Sequence, residues 1–102
     1  MEIERPLVAN IVNSRKVMQV KVAIMTDYQY ADQIAANIRK HEFAIRSEML
    51  DVMRKIDEGS LEEACFRFDL RESLKASVNA VLERHDGFGV VTAVKFTDFI
   101  VM

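Results

Sequence analysis

The sequence has little of the residue types from which specialised sites are built. Its 102 residues include one cysteine, one proline and three glycines. The single cysteine, Cys65, excludes an internal disulfide framework, and the two neighbouring glycines, Gly87 and Gly89, are too few for a phosphate-binding loop. No stretch approaches the roughly 18 consecutive apolar residues of a membrane span, and no signal peptide opens the chain. We therefore expect a soluble protein or the soluble piece of a longer one.

An excess of charge of one sign is also missing. The chain carries 14 basic and 16 acidic residues with a formal net charge of −2, and its pI is near 5.7. This balance argues against a nucleic-acid binder, which needs a basic face. Half of the residues are apolar, so a chain of this size can bury a core without disulfides. We expect one domain that spans residues 1–102.

Residues able to perform chemistry are present, but they do not form a known catalytic or metal-binding pattern. His41 and His85 are far apart and have no metal-ligand spacing around them, so we expect surface histidines at helix ends. Cys65 lies between an alanine and a phenylalanine, an apolar setting that predicts a buried and inert thiol. No serine stands in a Gly-x-Ser-x-Gly elbow, and the acidic residues are scattered. We expect no catalytic, cofactor-binding or metal-binding residues, and the sequence gives no positive reason to assign an enzyme.

Alternating apolar residues predict a β-hairpin near the start of the chain. Residues 7–12 form a short apolar run, and the turn-prone pair Asn13-Ser14 follows it. Residues 17–25 then place apolar side chains at every second position, which is typical of a strand with one buried face. Pro6, just before the first run, suits an edge strand or a strand start.

The last nine residues, 94–102, are the most strand-like part of the chain because they are rich in β-branched and aromatic residues, and the final strand is expected over residues 90–102. Phe96 and Phe99 are three residues apart, whereas side chains of a regular strand alternate between its faces. Both faces of this strand should therefore be covered, or the strand should bulge near Asp98. The sequence does not decide which ring faces the core; we expect one ring in the core and the other on the second face or against a neighbour.

A helical period replaces the strand pattern between residues 30 and 56. Apolar residues recur there at spacings of three, four or seven, and Asp27 is expected to cap the start of the helix. An unbroken helix of this length would be about 39 Å long, which exceeds the thickness of a domain this size. We therefore expect a break or a protruding turn, with residues 40–42 as its position.

Glycine and capping residues divide the second half of the chain. Gly59 is expected to end the first helix in a left-handed conformation. Ser60 with Glu63, and Asp69 with Glu72, have the spacing of a capping box; they predict a short helical turn and then a second main helix. The apolar stripe of the second main helix consists of Leu70, Leu74, Val78, Val81 and Leu82.

These elements predict an α+β fold in the order β-β-α-(short α)-α-β. The sheet should have three or more strands, with antiparallel pairs among them, and should pack against two main helices. The first long helix carries mixed charges that fit either a protein-binding face or, somewhat better, a solvated face with pairs four residues apart. Four methionines fit either an adaptable packing surface or an ordinary core. The charged residues are Arg39, Lys40, Glu42, Arg46, Glu48, Asp51, Arg54 and Lys55, and the methionines are Met18, Met25, Met49 and Met53.

Several motifs occur in the order found in one protein family. A strand pair with Asn10 in its first strand and the segment 21–24 in its second precedes a long helix that contains residues 45–46. A later helix ends with an Asn-x-x-Leu pattern at residues 79–82, and a Val-x-x-Val-x-Phe-Thr-Asp-Phe strand follows at 91–99. Over nearly the whole chain, this arrangement resembles the periplasmic domain of the FliL family of flagellar basal-body-associated proteins.

The resemblance implies a fold similar to the stomatin/prohibitin domain and a non-enzymatic role without cofactors. It implies a component of the flagellar motor that self-associates and supports the ion-driven stator units by contacting stator proteins. Family members carry an N-terminal membrane helix, so the resemblance also implies a truncated periplasmic domain of an inner-membrane protein at the basal body. The chain departs from the family at residues 40–41, in place of a proline, and at 68–69, in place of a glycine.

Two other functions stay open at the level of the sequence. One is a soluble cytoplasmic α+β module that binds a small ligand between sheet and helices, which predicts a closed apolar pocket with a few polar groups. The other, weaker one is an enzyme.

Overall fold

One antiparallel sheet and a layer of helices make up the fold. A computed structural model describes residues 1–3 and 5–102. Its three strands lie in the order β1-β2-β3, and the predicted α+β class and order of the main elements are confirmed. The elements are β1 (Leu7–Asn10), β2 (Val17–Thr26), a 3-10 turn (Tyr28–Tyr30), α1 (Ala31–Lys40), α2 (Glu42–Met53), α3 (Glu58–Leu61), α4 (Phe66–Asp86) and β3 (Val91–Val101).

The predicted hairpin is confirmed, with a shorter first strand than the sequence indicates. β1 and β2 pair antiparallel, but β1 ends before the predicted limit. Val12 lies beyond its end and donates its N–H to the Ile56 carbonyl at 2.8 Å. Asn13 turns the chain with a φ of 56°, a left-handed conformation that asparagine tolerates better than most residues.

The predicted break in the first long helix is confirmed at His41. This residue separates α1 from α2 and has a φ of −112° and a ψ of 25°, outside the helical region. Hydrogen bonds still run through the junction, because the His41 N–H donates to the Asn37 carbonyl and the Ile45 N–H donates to the His41 carbonyl, both at 3.0 Å. The expected cap at Asp27 is wrong, since its side chain makes no capping hydrogen bond to the 3-10 turn that follows.

The short helix α3 is capped by Asp57 rather than by the predicted Ser60. The Asp57 carboxylate accepts hydrogen bonds from the Ser60 N–H at 2.8 Å and from the Ser60 hydroxyl at 2.9 Å. Because the Ser60 backbone N–H, and then its hydroxyl, stabilise the ionised form, the pKa of the Asp57 carboxyl lies below its ordinary value of 3.8. Gly59 lies inside α3, so the left-handed cap expected there is wrong.

The second main helix, α4, also begins about one turn earlier than predicted. Its N-cap is Cys65, which leaves Asp69 inside the first turn instead of at the cap. The end of the helix matches the prediction, because Gly87 has a φ of 82° in the left-handed C-cap position. The predicted apolar stripe is confirmed, and all of its residues are buried: Leu70, Leu74, Val78, Val81 and Leu82.

The helices cover one face of the sheet and leave the other face open. Lys21 and Lys95 lie exposed on the open face, so of the two alternatives expected for the final strand, the covering of both faces is not the one found. Of the four methionines, Met25 is 47% exposed and the other three are fully buried. The largest fully buried side chains on the covered face and on the helices are Leu7, Ile11, Met18, Ile34, Ile38, Ile45, Met49, Met53, Leu74 and Leu82.

Candidate interaction site on strand β3

A β-bulge at Thr97 brings both phenylalanines of β3 to the covered face of the sheet. Asp98 lies opposite Lys21, and Phe96 lies opposite the next residue of β2, so Thr97 is an extra residue in the register. Beyond the bulge the alternation resumes with Phe99 on the same face as Phe96, and both rings pack against the core. The bulge predicted near Asp98 is confirmed, and the expectation that one ring lies on the second face is wrong.

A second bulge has the same effect near the start of β3. Val91 and Ala93 lie opposite neighbouring residues of β2, which leaves Thr92 as the extra residue. Val91 and Val94 are also three residues apart, and both are buried, with 5% and 2% of their surface exposed. The spacing of three therefore occurs twice in β3, and a threonine bulge accommodates it each time.

Two arginines of α4 lie against the rings of β3. The Phe99 ring is 6.1 Å from the Phe66 ring and 5.3 Å from the Phe96 ring, measured between centroids. The Arg67 guanidinium carbon lies 4.5 Å from the centroid of Phe99, and that of Arg71 lies 5.9 Å from the centroid of Phe96, within the range of cation–π attraction. Neither arginine forms an ion pair within the part of the chain that the structure describes.

The backbone of β3 alternates between bonding β2 and facing outward, because β3 lies at the edge of the sheet. Val17 and Met102 exchange both of their N–H···O bonds at 2.9 Å. The next residue of β3, Val101, therefore stands in a position whose own N–H and C=O point away from β2. The same alternation turns the N–H and C=O of Phe99 outward.

The outward positions continue beyond the Thr97 bulge. The N-terminal segment 1–3 donates to the Val22 carbonyl at 2.9 Å and accepts from the Ile24 N–H at 2.7 Å, so these two β2 residues turn their backbone groups away from β3. Their partners in β3, Phe96 and Val94, must then direct their own N–H and C=O outward.

We call the outward N–H and C=O groups of Val94, Phe96, Phe99 and Val101 the open edge. Among residues 1–3 and 5–102 these groups have no hydrogen-bond partner. Exposed strand edges of this kind are the positions at which other chains add to a sheet.

The first outward position of β3, Val91, is closed by Asn79 of α4. The Asn79 Nδ2 donates to the Val91 carbonyl at 3.1 Å, and the Val91 N–H donates to the Asn79 Oδ1 at 2.9 Å. One carboxamide thus forms the two bonds that an added strand would form. Gly89 allows the chain before β3 to pass close to Asn79 of α4, because a Cβ at that position would lie 2.7 Å from the Asn79 backbone oxygen.

A groove of about 560 Å³ lies beside the far end of the open edge, between β3 and the start of α4. Arg67, Arg71 and Glu63 contribute charged groups to it, and Phe68, which is 56% exposed, contributes an aromatic ring. Cys65 also lines the groove and is exposed, so the predicted buried cysteine is wrong. Its apolar neighbours in the sequence misled the prediction, because the chain turns there into the N-cap of α4 and buries the next residue instead.

The two histidines meet at the junction of α1 and α2 with the end of α4. The His41 and His85 rings stack with centroids 4.6 Å apart and an interplanar angle of 18°. His41 Nε2 lies 3.2 Å from Oδ1 and 3.1 Å from Oδ2 of Asp86, and the His41 side chain is only 15% exposed. The expected surface location is therefore wrong for His41 and confirmed for His85, which is exposed. The contact joins the helix break to α4.

Part of the mixed-charge face of the first long helix makes internal contacts. The Arg46 guanidinium donates to the carbonyls of Arg5 and Pro6 at 2.9 and 3.1 Å, which holds the segment before β1 against α2. Glu48 of α2 lies 3.6 Å from Arg84 of α4. These contacts tie elements of the chain together, so that face is only partly available to a partner.

Sequence reasoning missed Arg67 and Arg71 as members of a site. Both arginines belong to α4, whereas the phenylalanine rings that they contact belong to β3. No local spacing in the sequence therefore connects an arginine to its ring.

Among the described residues, no group of three or more His, Cys, Asp and Glu side chains is placed to hold a metal ion. Within the same residues, no helix is both long and apolar enough to cross a membrane.

Comparison with known families identifies the chain more directly than its geometry does. The sequence model described as "Flagellar basal body-associated protein FliL" matches residues 1–101. No curated protein matches the chain significantly. Because the family match extends over nearly the whole sequence, the chain belongs to the FliL family of flagellar basal body-associated proteins.

Proposed function

We propose that residues 1–102 form a single periplasmic domain of a flagellar motor component, anchored in the inner membrane by a helix that precedes this chain. The observation that carries the proposal is the family match over residues 1–101. In this proposal the protein self-associates beside the ion-driven stator units and supports their stability and output through contacts with stator proteins. A fold like that of the stomatin/prohibitin domain belongs to the same proposal.

The proposed role is non-enzymatic and requires no cofactor. The side chains best suited to chemistry have packing or capping roles in the described structure, which supports this view. His41 stacks on His85 and contacts Asp86, and Asp57 caps α3. Among residues 1–3 and 5–102, most of the other carboxylates are exposed and spread over several elements, whereas general acid–base catalysis would need them in one shared pocket.

Exposed aromatic residues support self-association. Phe43 on α2 is 90% exposed and Tyr28 in the 3-10 turn is 98% exposed. Aromatic side chains are enriched at protein interfaces, and burying a large ring stabilises an assembly by roughly 1.5–3 kcal/mol. A membrane anchor would raise the effective concentration of the domains, so association should be weak without the anchor and strong with it.

Loss of the gene tests the motor role. The expected result is reduced swimming speed under high viscous load, where stator output limits rotation, with recovery when the unchanged gene is restored. Normal motility of the deletion strain under load would contradict the proposed support of the stator.

Light scattering of the soluble domain and of a membrane-anchored form tests self-association. The anchored form should assemble, and Phe43→Ser should weaken the assembly, whereas Val8→Ser on the open face of the sheet, 49% exposed, serves as the matched control. A strict monomer in both forms would contradict the assembly.

The alternative of a cytoplasmic ligand-binding module requires a closed apolar pocket between sheet and helices. That space is occupied by fully buried side chains, such as Ile45, Met49 and Leu74. A thermal-shift screen with metabolites separates the two functions, because a ligand at a hundred times its dissociation constant adds about 2.7 kcal/mol to the free energy of unfolding. Metabolite-induced stabilisation would favour the alternative.

A further inference from the structure

The open edge differs from other exposed surface because its backbone groups are aligned for strand addition. Val94, Phe96, Phe99 and Val101 direct their N–H and C=O groups outward, and the described residues supply no partner for them. At Val91, one position earlier, the Asn79 carboxamide already forms the two bonds of an added strand. The fold itself thus uses one outward position in the way that a bound peptide would use the next four.

The side chains beside the open edge select the chemistry of an occupant. Arg67 and Arg71 lie over Phe99 and Phe96 without ion-pair partners among the described residues. Glu63 is the acidic residue of the groove, so two cations face one anion. A strand added at this edge places every second side chain on the covered face of the sheet, beside these arginines.

We propose that the open edge of β3 binds an extended peptide segment of a partner protein, which adds to the sheet as a fourth strand and places acidic side chains against Arg67 and Arg71. Backbone hydrogen bonds to the open edge supply binding that is independent of sequence. Charge-assisted bonds from the arginine forks to carboxylates supply selectivity. The alternate side chains of the added strand, which point to the open face of the sheet, are apolar and lie beside Ile100.

A second copy of this chain fits the open edge poorly. Pairing two β3 strands about a two-fold axis brings Arg67 and Arg71 of both copies to one side of the same seam, where four like charges repel one another. An acidic segment instead meets the Arg67 and Arg71 of one copy only and places carboxylates against both. The inference does not rest on the proposed motor function, because an extended acidic segment can occupy the edge whether or not the protein acts at a stator.

The test uses the whole chain and a synthetic nonapeptide in which valine and glutamate alternate. Titration followed by amide NMR should shift the resonances of Val94, Phe96, Phe99 and Val101 and slow the hydrogen exchange of their amides. The Val91 amide is an internal control, because Asn79 already holds it. A second peptide with lysine in place of glutamate should bind at least about tenfold more weakly.

Charge reversal at the arginines tests selectivity. Arg67→Glu combined with Arg71→Glu should reverse the preference between the two peptides. Arg39→Glu combined with Lys40→Glu, an equal change of charge on two exposed residues of α1, should change both affinities less than about twofold. Val101→Pro removes one outward N–H without removing a hydrogen bond to β2. It should therefore weaken the binding of both peptides, while the far-UV circular dichroism of the protein stays unchanged.

Three outcomes would overturn the inference. The first is an absence of amide shifts along β3 with the glutamate peptide at about 1 mM. The second is equal binding of the glutamate and lysine peptides, because the arginines then select nothing. The third is protection of the open edge that grows with protein concentration in the absence of peptide, since a second copy of the chain would then be the occupant. Normal motility of a deletion strain would leave the peptide-binding result unaffected.

Discussion

The two halves of β3 have the same spacing of inward-facing residues but differ in whether their outward backbone groups are hydrogen-bonded. Each half contains two residues three positions apart that face the core, with a threonine bulge between them. In the first half, Asn79 closes the outward backbone at Val91, and Gly89 packs against Asn79. In the second half the outward backbone stays open beside Arg67 and Arg71. Two halves with a similar sequence pattern therefore differ in role. The first half is held to α4 by hydrogen bonds, and the second half exposes backbone groups that a partner can bind.

Deletion of single residues gives the largest expected effect and tests the bulge in the second half. Deleting Lys95 moves Phe96 to the open face and Thr97 to the core, whereas deleting Thr97 only removes the extra residue and keeps both rings in place. Deletion of Lys95 should lower the free energy of unfolding by about 3 kcal/mol more than deletion of Thr97, because a partly buried ring is lost.

Urea unfolding of the two deletion variants measures this difference, and each serves as the control for the other because both shorten β3 by one residue. Equal free energies of unfolding would show that the bulge does not set the direction of Phe96.

Gly89→Ala tests the close packing in the first half. Its Cβ would lie 2.7 Å from the Asn79 backbone oxygen and 3.0 Å from the Asn79 Cα, so the backbone must shift, and we expect a loss of about 2–3 kcal/mol in thermal or urea unfolding. Gly59→Ala is the matched control, because its Cβ meets only the Asp57 side chain, at 3.4 Å. A loss at Gly89 no larger than that at Gly59 would contradict the tight contact.

Asn79→Ala tests the closure of Val91 by hydrogen bonds. The change leaves a partly buried N–H and a partly buried C=O without partners and should cost about 2 kcal/mol. Asn79→Asp should cost at least as much, because its carboxylate still accepts from the Val91 N–H but places an oxygen instead of the Nδ2 donor against the Val91 carbonyl. Asn10→Ala, at an exposed position of β1, is the control. Faster hydrogen exchange of the Val91 amide in Asn79→Ala provides the local readout.

Asp57→Ala gives the smallest expected effect and a baseline outside β3, at an exposed helix cap. Because folding lowers the pKa of Asp57 below its ordinary value of 3.8, the stabilisation by its ionised form is present above that value and is lost as the pH falls through the folded pKa. The melting temperature of Asp57→Ala should therefore be below that of the unchanged chain at pH 6, and the gap should narrow below about pH 4. A gap that does not vary with pH would contradict the cap.

The order of the elements could be predicted because local patterns specify it. A period of two predicted the hairpin, a period near 3.6 predicted the helices, and the length of the first helical pattern predicted the break found at His41. The ends of the elements were predicted less well, because competing caps lie close together in the sequence. The Asp57 carboxylate accepts the hydrogen bond from the Ser60 N–H, so Asp57 is the N-cap that the spacing of Ser60 and Glu63 had assigned to Ser60.

The candidate site could be predicted only in part. The spacing of Phe96 and Phe99 indicated a bulge, and the family resemblance singled out Asn79 without giving it a role. The contacts of Arg67 with Phe99 and of Asn79 with Val91 join α4 to β3. Such contacts depend on how α4 lies on the sheet, which no local period of the sequence specifies.

The sequence by itself determined the fold class and the family, and it limited the final strand to two alternatives, covered faces or a bulge near Asp98, because periodicity, motif order and side-chain alternation act over short distances along the chain. The tertiary structure alone decided that both phenylalanines face the helices, that Cys65 is exposed and that Asn79 closes only the first outward position of β3. These outcomes depend on where α4 packs against an edge strand. Residues distant in the sequence then compete for the same backbone groups and the same buried volume.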